Sequence, residues 1–238
     1  MQYEFSFKDI DDLEFKLSES VSDYSFNGNK VPRVTSIISD MIHSDAITIW
    51  ANNLGFKHQK YRDVLNEACT YGSKTHHGIE IFLKENRILQ DAPYFSMMAF
   101  INWWNNLISN QTVQILGQEI PLICQYYGGT YDLLLSINGE PWLIDFKTSN
   151  HITYKYFLQL AAYNKVLREV HNTNLRGAVI LQLSKSSPTY NEYTLDFMNP
   201  QHKEYIDTCE RTFMSLLYSY YHIKYLEGEF NHVLEQRK

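Results

Sequence analysis

Asp132, Asp145 and Lys147 are two carboxylates and an amine that share one short stretch of the chain. Carboxylate oxygens hold hard divalent cations, and a lysine beside them can neutralise charge or orient a water. The three lie in two strand-like runs, Gly128 to Ile137 and Glu140 to Ser149, which flank Asn138-Gly139. Both residues of that pair tolerate positive φ, which makes it a two-residue hairpin signal. With that loop Ile137 pairs with Glu140, paired numbers sum to 277, and Asp132 stands opposite Asp145. A symmetric four-residue loop preserves the register, whereas a three-residue loop shifts it by one. Tyr131, Leu133 and Leu135 then meet Phe146, Ile144 and Trp142 on an apolar face. Asp132, Asp145 and Lys147 share the other, with Asp145 and Lys147 about 6.6 Å apart along the strand. Opposed carboxylates repel, and a cation between them removes the conflict. A solvated polar face accounts for any one of these residues; all three on one face point to a site.

The elements that position them follow from periodicity. Residues 1–30 form an acidic, aromatic lead-in, with a short strand or irregular stretch near Tyr3–Phe7 and a turn at Asn27–Lys30. Thr35 or Ser36 is placed to cap a helix running to about Asn52. Tyr61–Glu85 reads as a helix interrupted at Gly72, with His76 and Glu80 on one face. Asp91–Ser109 is a further helix; its Trp103 and Trp104 suit core packing, with one of the two near the surface, or stacking on bases. Thr112–Gln125 reads as strands. Tyr154–Val170 is helical, with Gln159 and Tyr163 on one face. Gly177–Leu183 is a buried strand that Tyr190–Phe197 can pair with, and Pro200–Phe230 is a long helix. These elements predict a mixed α/β (α+β) fold: a central mixed sheet flanked by helices, with a helical part at 31–110, the sheet at 111–199 and the last helix at 200–238.

The ordered set Gly-Thr-x-Asp132, Ile-Asp145-x-Lys147-Thr-Ser and Gln159-Leu-Ala-Ala-Tyr163 resembles the PD-(D/E)XK nuclease superfamily, and its RecB-like exonuclease branch most of all. Val34-Thr-Ser-Ile-Ile, with Trp50 and Gly55 downstream, is similar to phage-encoded RecB-like exonucleases and to the mitochondrial genome maintenance exonuclease family. Gly72-Ser-Lys-Thr-His76 matches the Gly-x-x-x-His element of RecB-like enzymes, in which the histidine binds metal. The resemblance implies a restriction-endonuclease-like core and a metal site of His76, Asp132, Asp145 and the Phe146 backbone carbonyl. It implies Mg²⁺ or Mn²⁺ as the ion, with Lys147 acting on the water and Gln159 and Tyr163 positioning lysine and DNA. His77, about 100° around the helix, competes with His76. Glu119 stands where family members often carry an acid and is expected as an accessory residue. The function implied is a metal-dependent DNA exonuclease of replication, recombination or repair. An endonuclease or junction resolvase on the same core, and a non-catalytic DNA-binding or assembly protein, are the alternatives.

Composition bounds these readings. Hydrophobic residues make up 44% of the 238 and aromatics 15%, which excludes a disordered chain. Cys69, Cys124 and Cys209 are scattered, arguing against a zinc site, against the four-thiolate cluster of some RecB-like relatives, and for a reducing compartment. With no signal-peptide pattern and no membrane-length apolar run, the expected location is the cytoplasm, the host's if the chain is phage-encoded. The net charge is −6, with seven acids and two bases in residues 1–23, so the remaining 20 acids and 19 bases nearly cancel. A near-neutral body cannot easily wrap duplex DNA. Aromatic stacking favours single strands, with Trp50, Trp103 and Trp104 able to admit a free end. Duplex ends would then be attacked slowly unless frayed or unwound by a helicase or recombination partner.

Overall fold

The computed structural model describes residues 24–43 and 45–235. A small hairpin, β1 (Ser25–Phe26) and β2 (Asn29–Lys30), precedes four helices: α1 (Val34–Met41), α2 (Asp45–Phe56), α3 (Tyr61–Glu85) and α4 (Tyr94–Asn110). Strands β3 (Val113–Ile123), β4 (Gly128–Ile137) and β5 (Glu140–Lys147) follow, then α5 (Tyr154–Glu169), β6 (Gly177–Leu183), β7 (Tyr190–Asp196) and α6 (Pro200–Glu235). The main sheet has the order β3-β4-β5-β6-β7. Only β5 and β6 run parallel, joined by α5 as the crossover; the other neighbours are antiparallel. The fold is therefore α+β with a central mixed sheet, as the periodicity predicts.

Asn138 and Gly139 both take positive φ, 54° and 88°, so the β4–β5 turn is the two-residue kind. Ile137 pairs with Glu140 and Leu133 with Ile144, the predicted 277 register. One face of the sheet packs Leu133, Leu135, Ile144 and Phe146 against Ile79 of α3 and Phe100 and Trp103 of α4. The opposite face packs Leu134, Leu143 and Ile180 under α5, α6 and α1. Both faces are thus covered, and Asp132 and Asp145 are only 8% and 2% exposed. The polar face is not a solvated one, because Leu134 and Leu143 interleave with its carboxylates and α5 lies over them. Tyr131 departs from the predicted alternation. It belongs to the cluster of Leu134 and Leu143 rather than that of Leu133, and its hydroxyl occupies the space where Gly117 of β3 has no side chain.

Other boundaries differ for physical reasons. The helix expected from residue 35 to about 52 is broken in two: Lys155 Nζ donates to the Ile42 carbonyl at 2.7 Å, satisfying the end of α1 from a helix far along the chain. Its N-cap is Arg33, with no side-chain cap. Helix α3 runs unbroken through Gly72, where the residue needs no special conformation. The expected strands at 112–125 are one strand with an irregularity between Ile115 and Gly117. Trp103 is 2% exposed in the core, Trp104 is half-buried against the same cluster, and Trp50 is partly exposed. The turn at Asn27–Lys30 is the β1–β2 hairpin, with Asn27 and Gly28 at positive φ. The stretch near Tyr3–Phe7 lies outside the described residues. Among those that are described, no helix is long and apolar enough to cross a membrane.

Gly129 is fixed by contact. A side chain there would collide with the ring of Tyr163, so the glycine lets α5 lie close on β4. Gly129→Ala should therefore lower stability by about 1–3 kcal/mol in urea unfolding and displace Tyr163. Gly55→Ala, in helix α2 with nothing within 4 Å of the added methyl, should leave stability unchanged or raise it by up to about 1 kcal/mol.

Candidate metal centre

The site begins where the β4–β5 pairing ends. Beyond Leu133–Ile144 the ladder is continued by a side chain: the Phe146 N–H donates to Asp132 Oδ2 at 2.6 Å. On the other flank of β4, Gln118 pairs with Leu133 and Ile120 with Tyr131. The residues between those pairs, Glu119 and Asp132, fall in one row, and Asp145, the next residue of β5 after the last pair, stands at its end. Three carboxylates thus line up across β3, β4 and β5. Glu119 has a left-handed backbone, φ 49°, unusual for a residue with a Cβ. Such strain persists where surroundings over-determine it, and it clusters at functional sites.

Helix α3 brings His76 to this row. Its Nδ1 lies 3.3 Å from Asp132 Oδ1 and 3.7 Å from Glu119 Oε1, and its ring packs edge-on against Phe146. One donor atom from each of His76, Glu119 and Asp132 lies within 4.8 Å of the others. One nitrogen and two carboxylates converging so closely fit Mn²⁺ or Mg²⁺, with waters or substrate completing the shell. His77 is turned away, its side chain 61% exposed and 3.4 Å from Glu80. A cavity of about 360 Å³ opens beside His76 and Glu119.

Asp145 stands next to this group but outside it. Its Oδ1 accepts from Gln159 Nε2 at 3.2 Å, and its Oδ2 has Lys147 Nζ at 2.6 Å. That contact is an ion pair without hydrogen-bond alignment, and among the described residues no other donor reaches the buried Oδ2. Gln159 also donates to the Tyr163 hydroxyl at 3.2 Å. The expected Gln159–Tyr163 element therefore converges on Asp145. Phe146 contributes its N–H and its ring. Lys147, its side chain 16% exposed, lies 5.0 Å from the centre of the Tyr156 ring. Reading the sequence missed Tyr156, although 156, 159 and 163 share one helical face.

Electrostatics follow from burial and crowding. Burial raises the Asp145 carboxyl to about 6, helped by Asp132 and opposed by Lys147. Burial works against the His76 imidazolium too, but Asp132 and Glu119 outweigh it and lift His76 to about 10. Asp132 is held below the ordinary carboxylate range despite its burial, chiefly by His76. Lys147 is raised despite its burial, chiefly by Asp145. Without a metal the imidazolium is the cation between Glu119 and Asp132, as Lys147 is beside Asp145, and a divalent ion would take the imidazolium proton's place.

Compared with protein-family models and with curated proteins, the chain matches none.

Metal binding at His76 must expel its proton, so ion and proton compete. Apparent Mn²⁺ affinity should rise with pH up to about 10, by as much as about tenfold per unit. Calorimetry in buffers of different ionisation enthalpy should show close to one proton released. Glu119→Gln and His76→Ala should each weaken Mn²⁺ binding at least about tenfold, while His77→Ala leaves it unchanged. Undiminished binding in Glu119→Gln would remove Glu119 from the ligand set.

Proposed function

We propose that the chain is a metal-dependent DNA exonuclease that hydrolyses phosphodiester bonds from single-stranded ends, in replication, recombination or repair. One observation carries the reading: a nitrogen-and-carboxylate donor group sits directly beside a buried Asp145–Lys147 pair on the neighbouring strand. The ordered motifs that resemble RecB-like nucleases supply these residues, and they support Mg²⁺ or Mn²⁺ as the ion.

Phosphodiester hydrolysis needs an activated water and neutralisation of charge at phosphorus. A divalent ion bound by His76, Glu119 and Asp132 would supply charge neutralisation and a lowered water pKa. Asp145 is oriented by Gln159, whose own amide is held by Tyr163. Lys147, braced by Asp145 and Tyr156, presents positive charge toward the reacting phosphate and orients the water. The near-neutral charge outside residues 1–23 favours a substrate held by few phosphate contacts. Trp103 is enclosed in the core, so stacking falls to surface aromatics such as Trp50.

The test uses end-labelled linear and circular DNA, single- and double-stranded, with Mg²⁺, Mn²⁺ or EDTA. Linear single strands should be degraded, circles should resist, and duplex ends should be attacked slowly. Asp145→Asn should abolish cleavage with the fold intact. Lys147→Ala should lose about a hundredfold or more while still binding Mn²⁺ and DNA. Efficient cutting of circles would make the protein an endonuclease or resolvase, and DNA binding without cleavage under any ion would make it a binding or assembly protein.

A further inference from the structure

A second polar cavity, of about 350 Å³, lies at the carboxyl ends of the parallel strands β5 and β6. The cavity is immediately downstream of Lys147. Five of its lining residues carry hydroxyls, Thr148, Ser149, Ser184, Ser186 and Thr189, and Lys185 is its single charged residue. No carboxylate lines it, in contrast to the three aligned acids next door. Among the described residues Lys185 pairs with no acid; its Nζ stands 5.0 Å from the centre of the Tyr71 ring.

The walls are tied together and to the metal helix. Gln182 Nε2 donates to the Ser149 carbonyl at 2.8 Å, and its Oε1 accepts from Asn191 and Tyr193. The Ser184 N–H donates to the Thr189 carbonyl at 3.1 Å, closing the β6–β7 connection. Ser96 Oγ donates to the Ser184 carbonyl at 2.9 Å and shares a hydrogen bond with the Tyr71 hydroxyl. Next to Tyr71, Gly72 faces Thr148: a Cβ on Gly72 would lie 3.6 Å from Thr148 Oγ1. Gly72 in turn lines the cavity that opens at His76. Gly72 and Thr148, one lining each cavity, therefore stand between the two, and Thr148 directly follows Lys147 in the chain.

We propose that this serine- and lysine-lined cavity is a phosphate subsite, holding the phosphate that neighbours the one under attack; this deepens the nuclease reading and rests on it. The Thr148 and Ser186 hydroxyls, the Asn150 amide and Lys185, with no acid among them, suit phosphate oxygens, which only accept hydrogen bonds; the Ser149 hydroxyl already donates to the His151 carbonyl. Its place beyond Lys147 puts the next group of a polynucleotide there, either an internal phosphodiester or a terminal phosphate.

Two measurements test the subsite. In EDTA, inorganic phosphate should raise the thermal midpoint of the wild-type protein, and this protection should be lost in Lys185→Ala and Ser186→Ala but kept in Lys185→Arg. In cleavage assays Lys185→Ala should raise KM about tenfold with kcat retained, because a contact made equally in ground and transition states is removed. A KM that rises to match when the wild type receives an oligonucleotide lacking its terminal phosphate identifies the ligand as a terminal phosphate. A KM that responds instead to a neutral methylphosphonate beside the scissile linkage identifies an internal one. Equal phosphate protection of wild type and Lys185→Ala, or an unchanged KM in that variant, overturns the subsite while leaving the nuclease reading standing. Lys185-dependent protection in a protein that cleaves nothing would remove the nuclease reading and leave a phosphate site.

Discussion

Like charges on neighbouring strands repel, and this chain sets three carboxyl groups side by side across β3, β4 and β5. Two of them, Asp132 and Asp145, are also removed from water. The arrangement is tenable only with cationic or hydrogen-bonding partners on every side. His76 arrives from one helical layer, Lys147 from the strand itself, Gln159 from the other layer, and the Phe146 N–H from the parted ladder. Much of the molecule can be understood as the means of delivering these groups. Helix α3 must lie along one face to present His76, and α5 must lie close on the other to present Gln159. Gly129 removes the Cβ that would hold α5 away.

The residues that organise this row were legible in the sequence wherever local chemistry decides geometry. Asn138-Gly139 sets the turn and the turn sets the register, which holds as far as Leu133–Ile144; Asp132 and Asp145 follow just beyond, where the Asp132 side chain takes the Phe146 N–H. His76, Gln159 and Tyr163 were found through helical spacing joined to a family resemblance. Glu119 was legible only as an accessory acid. Its place in the row depends on an irregularity near Leu116 and a left-handed backbone on a non-glycine residue, and neither has a sequence signal. The break between α1 and α2 hid for a related reason: the group that ends α1 is Lys155, 113 positions away from Ile42. Burial of the polar face was hidden too, because the alternation that marks a half-exposed strand does not show that a helix with Gln159 and Tyr163 will lie over it.

The centre stands between layers that make unlike contacts with it. On the α4 side Phe146 touches both Phe100 and His76 edge-on, so the histidine rests on a packed aromatic wall. On the α5 side the contacts to Asp145 run through an amide and a phenol. A change in aromatic packing would therefore tilt the nitrogen donor, whereas a change in the amide–phenol pair would turn a carboxylate.

Helix α1, near the start of the described chain, packs in the same core cluster as Phe213, Leu217 and Tyr221 of α6, near its end. The Tyr221 hydroxyl also donates a hydrogen bond to the Tyr126 carbonyl just before β4. On a ribosome the first helices, the β3–β5 hairpins and even α5 emerge while that layer still lacks its last wall. That layer is complete only once α6 has joined it, so the apolar residues of α1 and α5 that α6 packs on stay open until then. Long-range closure of this kind slows folding and leaves apolar surface open meanwhile.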